Sequence, residues 1–435
     1  MSVLLLSTYD LGHQPFGLAS PAAWLRREGI EVHAIDLSRD KLNADAVTTA
    51  SLIALYLPMH TATRLAIPVI DRVRALNPSA AICAYGLYAQ LNEDLLRQHG
   101  VTIVLGPEAE EELVRVAFGE RRLQPSLNPV PRFNFIQPDR AGLPALDRYA
   151  ALLMPDGTSK IVGATDATRG CKHRCRHCPI VPVYDGQFRA VAVDVVMADI
   201  RAQVEQGATH ISFGDPDFFN GPTHARRIVE ALHREFPSVT YDAIIKVEHL
   251  LQHRELLPLL AHTGCLFITS AVESVDDEVL AKLEKGHTRA DFIVAARVCR
   301  EAGVTLVPTF VAFTPWTTID SYMDLLRVVS DLDLVGNVAP VQWGIRLLVT
   351  WESRLLELPD IQSAIGAFDA RTLTFPWAHR DPRVDLLQQQ VMALAGVKAA
   401  RSREEIFETI CELAQVNLIL PSRSAIPYMN EPWYC

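Results

Sequence analysis

Five short apolar runs, at residues 2–7, 31–36, 51–57, 80–84 and 101–105, open the chain, each of strand length. Between them the apolar positions take helical spacing, at 19–28, 61–76 and 92–99, and an acidic amphipathic helix is expected at 108–118. This alternation predicts an open parallel sheet with helices on both faces, whose ligands bind beyond the carboxyl ends of the strands. The loops at those ends are 8–17, 58–61 and 85–89. Residues 119–154 carry Pro125, Pro129, Pro131, Pro138 and Pro144 with little periodicity, and read as a linker after a first domain at 1–118. From residue 160 a longer strand–helix alternation begins. Strands are expected at 161–164, 210–214, 240–246, 266–271, 305–313 and 341–349. Helices are expected at 192–206, 225–234, 254–261, 276–283, 289–302 and 319–330. A third region, 351–435, adds helices at 386–395 and 403–414.

At 435 residues, 49% hydrophobic and 21% charged, the chain has ample core for two or three ordinary globular domains. Its longest apolar runs, such as 304–313, are too short to cross a bilayer, so no membrane is expected. The first seven residues lack the basic start and cleavage site of a signal peptide, which places the protein in the cytoplasm. Net charge is −10, with no basic block beyond Arg226-Arg227 and 119–122. That balance disfavours nucleic acid, transfer RNA included, and points to a small-molecule substrate.

The chemistry concentrates at Cys171, Cys175 and Cys178, spaced C-x₃-C-x₂-C. Three thiolates this close cannot pair off as disulfides, but they can surround one face of a metal cluster. A [4Fe–4S] cube held by three cysteines keeps one iron free of protein ligands, whereas a structural zinc loop takes four. Cytoplasm suits thiolates that must stay reduced. The spacing resembles the signature of the radical S-adenosylmethionine (SAM) superfamily, C-x₃-C-x-Φ-C, with His177 at the Φ position.

The resemblance covers about 155–350 and implies a partial (βα)₆ barrel with its active site at the C-terminal strand ends. The fold expected is α/β: a Rossmann-like, cobalamin-binding-like N-terminal sheet, the partial barrel, and a mainly helical C-terminal region. It also assigns residues. Gly214, Asp215 and Asp217, ending the second strand, stand where the family receives the SAM ammonium, although Gly-Asp-Pro-Asp is good turn chemistry too. Ser270, Glu273 and Ser274 resemble the strand-four motif that bonds ribose hydroxyls or the methionine carboxylate. Lys246 could meet that carboxylate or form a surface ion pair with Glu248. Arg346 would point into the barrel towards an anionic group. Lys285 and His287, in a stretch common to cobalamin-type members, read as helix-end features.

The N-terminal region looks like the cobalamin-binding domain of a large radical SAM subgroup. Its loop 10–17 lacks the spacing of the D-x-H-x-x-G motif, so His13 reads as a solvent-facing loop residue and cobalamin stays open. The end of the chain resembles a radical SAM group whose tails read Cys-Cys-Ala-Glu-Pro or its selenocysteine form, which makes Cys435 a candidate substrate-binding thiol; a frayed end is the alternative. Cys83, Cys265, Cys299 and Cys411 sit in apolar segments and read as core.

Taken together these features imply a radical SAM transferase that is reduced by a flavodoxin or ferredoxin and cleaves SAM at the open iron. Two versions compete: cobalamin-dependent methylation, and 3-amino-3-carboxypropyl transfer to trivalent arsenic as in arsinothricin biosynthesis. A non-catalytic Fe–S or zinc protein is the alternative from another class. Methylthiotransferase action is disfavoured, because Cys83 alone cannot hold a second cluster in the N-terminal region.

Overall fold

The computed structural model describes residues 2–120, 132, 134–396, 402–418 and 426–431. Its N-terminal sheet follows the five apolar runs: β1 (Ser2–Ser7), β2 (Glu31–Asp36), β3 (Leu52–Tyr56), β4 (Ala81–Tyr85) and β5 (Ile103–Val104). They lie in the order β2-β1-β3-β4-β5, all parallel. The central strands are covered on both faces. Val3, Leu4, Leu5 and Leu6 are all fully buried, which is why β1 reads as a continuous apolar run and not as an alternating one.

A second sheet begins with β6 (Ala151–Leu153) and β7 (Ser159–Thr165), an antiparallel hairpin turned at Gly157. A short hairpin, β8 (Thr168–Gly170) with β9 (Phe188–Ala190), then brackets the cysteine loop. The sheet continues through β10 (His210–Phe213), β11 (Thr240–Ile244), β12 (Cys265–Glu273) and β13 (Thr305–Phe310), and the chain returns to pair β14 (Tyr428–Met429) on β6. The order is β13-β12-β11-β10-β7-β6-β14, with β7, β10, β11, β12 and β13 parallel. This is the curled half-barrel that the resemblance implied for the strand–helix alternation. The β6 and β14 edge had no counterpart in the sequence reading, which had assigned 151–153 to the linker.

The sixth barrel strand, expected at 341–349, is not one. Pro340–Trp343 forms a 3₁₀ turn, since proline brings no N–H to a ladder. Gly344 then lies against Met392, where an added Cβ would sit 3.1 Å from the Met392 Cα. What survives is a single parallel bridge, Phe313 to Arg346. The helix Pro382–Gly396 occupies the space beside it. Cys83, Cys265, Cys299 and Cys411 are buried, in keeping with core roles.

One buried ion pair ties the parts together. Arg140 holds Asp199 with two hydrogen bonds (Nε to Oδ1 2.8 Å, Nη2 to Oδ2 2.9 Å) and also donates to Gln14 Oε1 and to the Ala164 carbonyl. Its partners lie in the loop after β1, in β7 and in the helix Val193–Glu205.

Candidate active site

The cysteine loop leaves β8 at Gly170, whose φ is +77°. A side chain there would strike the Tyr184 ring at 2.4 Å and the Gln187 carbonyl at 2.6 Å, so only glycine lets the chain turn into Cys171. The loop re-enters regular structure at the helix Val181–Tyr184, whose Val183 and Tyr184 pack in the N-terminal core. It is pinned from both sides. Lys172 N–H donates to Asn220 Oδ1, Arg176 N–H to the Leu283 carbonyl, and the Arg176 guanidinium to the Lys282 carbonyl.

Cys171, Cys175 and Cys178 are free thiols, Cys175 being buried. Burial pushes the Cys171 thiol up to about 11 and that of Cys178 to about 12, and neighbouring thiols add to both rises. Without a metal Cys171 and Cys178 stay protonated; a bound metal supplies the positive charge three clustered thiolates need. The loop therefore fits a metal cluster, and among the described residues no fourth cysteine lies beside it.

Around the loop the strand ends converge. His177 Nε2 lies 3.1 Å from Glu273 Oε1, and Lys285 Nζ 3.4 Å from the same oxygen. Burial alone would raise Glu273, but Lys285 and His177 hold it at about 2. Glu273 sits at φ +69°, where the β12–β13 register slips, a strained backbone of the kind that persists where the surroundings over-determine it. Ser270 is fully buried with its hydroxyl unpartnered, whereas Ser274 accepts the Asp276 N–H and closes a turn. Lys285 and His287, taken as helix-end features, are instead buried at this site; burial, then Lys285 and Lys246, lower His287 to about 4.

The two acids after β10 are already engaged. Asp215 accepts from the Ala167 N–H and the Thr168 hydroxyl, and burial raises it to about 7. Asp217 accepts the Phe219 N–H and faces His249 and His173. Burial would raise it, but those two histidines hold it at about 2. Gly214 abuts the Asp166 carboxylate, 2.6 Å from where a Cβ would be. Lys246 is buried, contacting Glu248 and His173 at 3.1 Å each, so the surface-pair alternative does not hold. Arg346 turns to the C-terminal region instead of into the barrel: it bonds Asp385 at 2.7 Å and stacks on Trp377 at 3.5 Å. Cys435 lies outside the described residues.

A cavity of about 390 Å³ lies between the two sheets, lined by Asp10, His13, Tyr56, Asp166, Asp242 and Glu431 among others. A smaller one of about 210 Å³, at the carboxyl ends of β1, β3 and β4, shares Phe16, Tyr56, Pro58, Asp166 and Gly214 with it. His13 is thus a cavity residue and not a solvent-facing one, and burial lowers its pKa. Nothing in the local sequence marks this, because the wall opposite it comes from residues some 200 positions later.

Asp10 yields a pH prediction. Burial, then Asp166 and Asp36, raise it from 3.8 to about 8. The folded state therefore holds a proton that the unfolded chain has released, and stability falls as pH rises from about 3.8 through about 8. An Asp10→Asn variant is expected to gain melting temperature over the native chain as pH is raised from 5 to 9. An unchanged gap across that range would refute the assignment.

Residues 166–328 match the family model described as the radical SAM superfamily. The chain carries a radical SAM domain. That superfamily works with a [4Fe–4S] cluster and SAM, and the three cysteines lie inside the match. The chain is 26% identical over 160 residues to a hopanoid C-3 methylase of Methylococcus capsulatus, 37% of this chain and 30% of that protein. The shared segment is thus under a third of the relative's length. Among solved structures, the cobalamin-dependent SAM radical enzyme OxsB, with aqua-cobalamin and SAM bound, covers 95% of this chain at TM-score 0.70 and 13% identity, with 71% of OxsB covered. The radical SAM methyltransferase TsrM of Kitasatospora setae, with cobalamin and [4Fe-4S] cluster bound, covers 76% at TM-score 0.60 and 16% identity, with 70% of TsrM covered. These likenesses establish the fold. No helix among the described residues is long and apolar enough to cross a membrane.

Proposed function

We propose that this protein reductively cleaves SAM at a cluster held by Cys171, Cys175 and Cys178 and transfers a carbon group to a small molecule. The observation that carries the reading is the convergence of three unpaired thiols with the His177–Glu273–Lys285 group at the mouth of a half-barrel, beside a cavity. The cluster would supply the electron that breaks a C–S bond of SAM; the radical chemistry belongs to the cofactor. The chain's own residues bind, orient and exclude water. Lys246 and Lys285 are the buried cations available to a carboxylate, and Ser270 offers an uncommitted hydroxyl. Asp215 and Asp217 retain their proposed place beside the SAM ammonium, though each must share a carboxylate already bonded within the fold. Gly214 keeps that approach open. Ser274 and Arg346 act through the turn and the C-terminal region that they brace.

Two readings of the transfer follow. Cobalamin-dependent methylation is favoured by the N-terminal sheet, by structural neighbours that include it, and by His13 in the cavity. Transfer of a 3-amino-3-carboxypropyl group to a thiophilic substrate is favoured by Glu431: it lines the cavity four residues before Cys435, the proposed substrate thiol.

The test is anaerobic reconstitution, reduction with dithionite or a flavodoxin, and product analysis. Cleavage of SAM is expected, with 5′-methylthioadenosine marking the second transfer and a bound corrinoid spectrum the first. A fully loaded protein that cleaves no SAM refutes the function. Under the second transfer, Cys435→Ser is expected to abolish transfer while sparing SAM cleavage.

A further inference from the structure

Between the cysteine loop and the strand ends of β10 and β11 runs a line of buried polar side chains. Lys246 Nζ lies 3.1 Å from His173 Nδ1, His173 Nε2 lies 3.2 Å from His249 Nε2, and His249 Nδ1 lies 2.6 Å from Asp217 Oδ2. The last contact is close but not aligned as an ideal hydrogen bond. His249 and Asp217 are each 1% exposed at the side chain, and the two imidazole rings are 4.5 Å apart. The Phe219 N–H occupies the other Asp217 oxygen, and Glu248 takes a second Lys246 proton.

The ends of this line dictate its middle. An ammonium only donates and a carboxylate only accepts. His173 therefore accepts at Nδ1 and carries its proton on Nε2, which donates to His249 Nε2. His249 in turn carries its proton on Nδ1, facing Asp217. One pair of tautomers satisfies these three contacts, with all donors pointing the same way, and the His173 Nε2 proton also faces Asp217 Oδ2 at 3.4 Å. The same three side chains, His173, Asp217 and His249, lie within 4.8 Å of one another and so could in principle grip a metal ion. Lys246 argues against it: His173 Nε2 is protonated while Nδ1 accepts from the ammonium, and a second cation would sit beside the lysine.

We propose that His249 and Asp217 are positioning residues: through His173 they hold the Lys246 ammonium against the loop segment between Cys171 and Cys175, where its charge stabilises the reduced cluster. This rests on the reading of the three cysteines as cluster ligands. A cation nearby favours the state with one more electron, so losing it makes the cluster harder to reduce.

The experiment uses full-length reconstituted protein and measures iron and zinc per chain, together with the cluster midpoint potential by EPR-monitored titration. Lys246→Met and His249→Phe are expected to load the cluster as the native chain does and to shift the potential downward, Lys246→Met by more. His249→Gln, whose amide oxygen can still accept from His173, is expected to recover part of the shift. Unshifted potentials in fully loaded Lys246→Met and His249→Phe proteins would overturn the proposal. So would an additional metal ion per chain that His249→Phe removes. Should His249→Phe fail to assemble a cluster, Lys246→Met and His249→Gln decide alone. If the native chain itself loads no four-iron cluster, the parent reading has failed, a result distinct from an unshifted potential.

Discussion

A Cys175→Ala chain is expected to purify folded, to take up no stable four-iron cluster and to cleave no detectable SAM. Of the three loop thiols Cys175 is the buried one, with relative exposure of 7%, held by the turn in which Cys178 N–H donates to its carbonyl. Two thiolates leave a cube half unsupported, and serine does not replace a soft sulfur ligand at iron. Loss of an outer partner of a metal ligand costs roughly 10–100-fold in affinity or activity, and loss of the ligand itself is expected to exceed that. Iron content, the broad absorption of the cluster near the visible, and 5′-deoxyadenosine or 5′-methylthioadenosine yield would each report it. The fold should survive, because the side chains that anchor the loop, Asn220 and Arg176, are untouched. A Cys175→Ala protein with four irons and native turnover would end the cluster assignment. The same substitution at Cys83, sealed in the N-terminal core, should leave iron loading unchanged.

Arg140→Met is expected to be strongly destabilising. Arg140 and Asp199 are 2% and 1% exposed at the side chain and joined by two hydrogen bonds, and the same guanidinium also reaches Gln14 and the Ala164 carbonyl. Removing it strands a carboxylate inside the protein. Breaking a buried pair by deleting one partner costs about 3–5 kcal/mol. The loss should exceed that of an exposed pair such as Arg201–Glu235, whose attraction is screened by water. Urea denaturation of both variants against the native chain measures the contrast. Because Arg140 ties the loop after β1 to the second sheet, loosening there should also open the cavity between them, seen as faster amide exchange at β1 and β7. Equal midpoints for the two variants would show that the ion pair is dispensable.

Three features were legible in the chain before folding. The parallel strands of the N-terminal sheet could be read because their residues are buried on both faces, so burial shows as an unbroken apolar run. The strand–helix order of the second domain could be read because it alternates at a regular interval, while its curling into a half-barrel came from the resemblance. The grouping of the three loop thiols could be read because all lie within eight consecutive residues, and local spacing alone sets which sulfurs can meet. Where the chain departed from its pattern, a neighbour distant in sequence was responsible: the sixth strand gave way to a proline-led turn pressed against Met392.

Tertiary structure alone decided the rest. That Lys285 meets Glu273 beside the cysteine loop, that His287 and Lys246 are buried, that Arg346 turns to Trp377, and that His13 lines a cavity all depend on contacts between residues tens to hundreds of positions apart. A lysine after a helix has the same sequence signature whether its ammonium meets water or Glu273. The energy that selects between them, desolvation against one buried carboxylate, exists only once both groups are enclosed. Spacing along a chain carries information about neighbours in the chain. The charge balance of a closed site is a property of the enclosure.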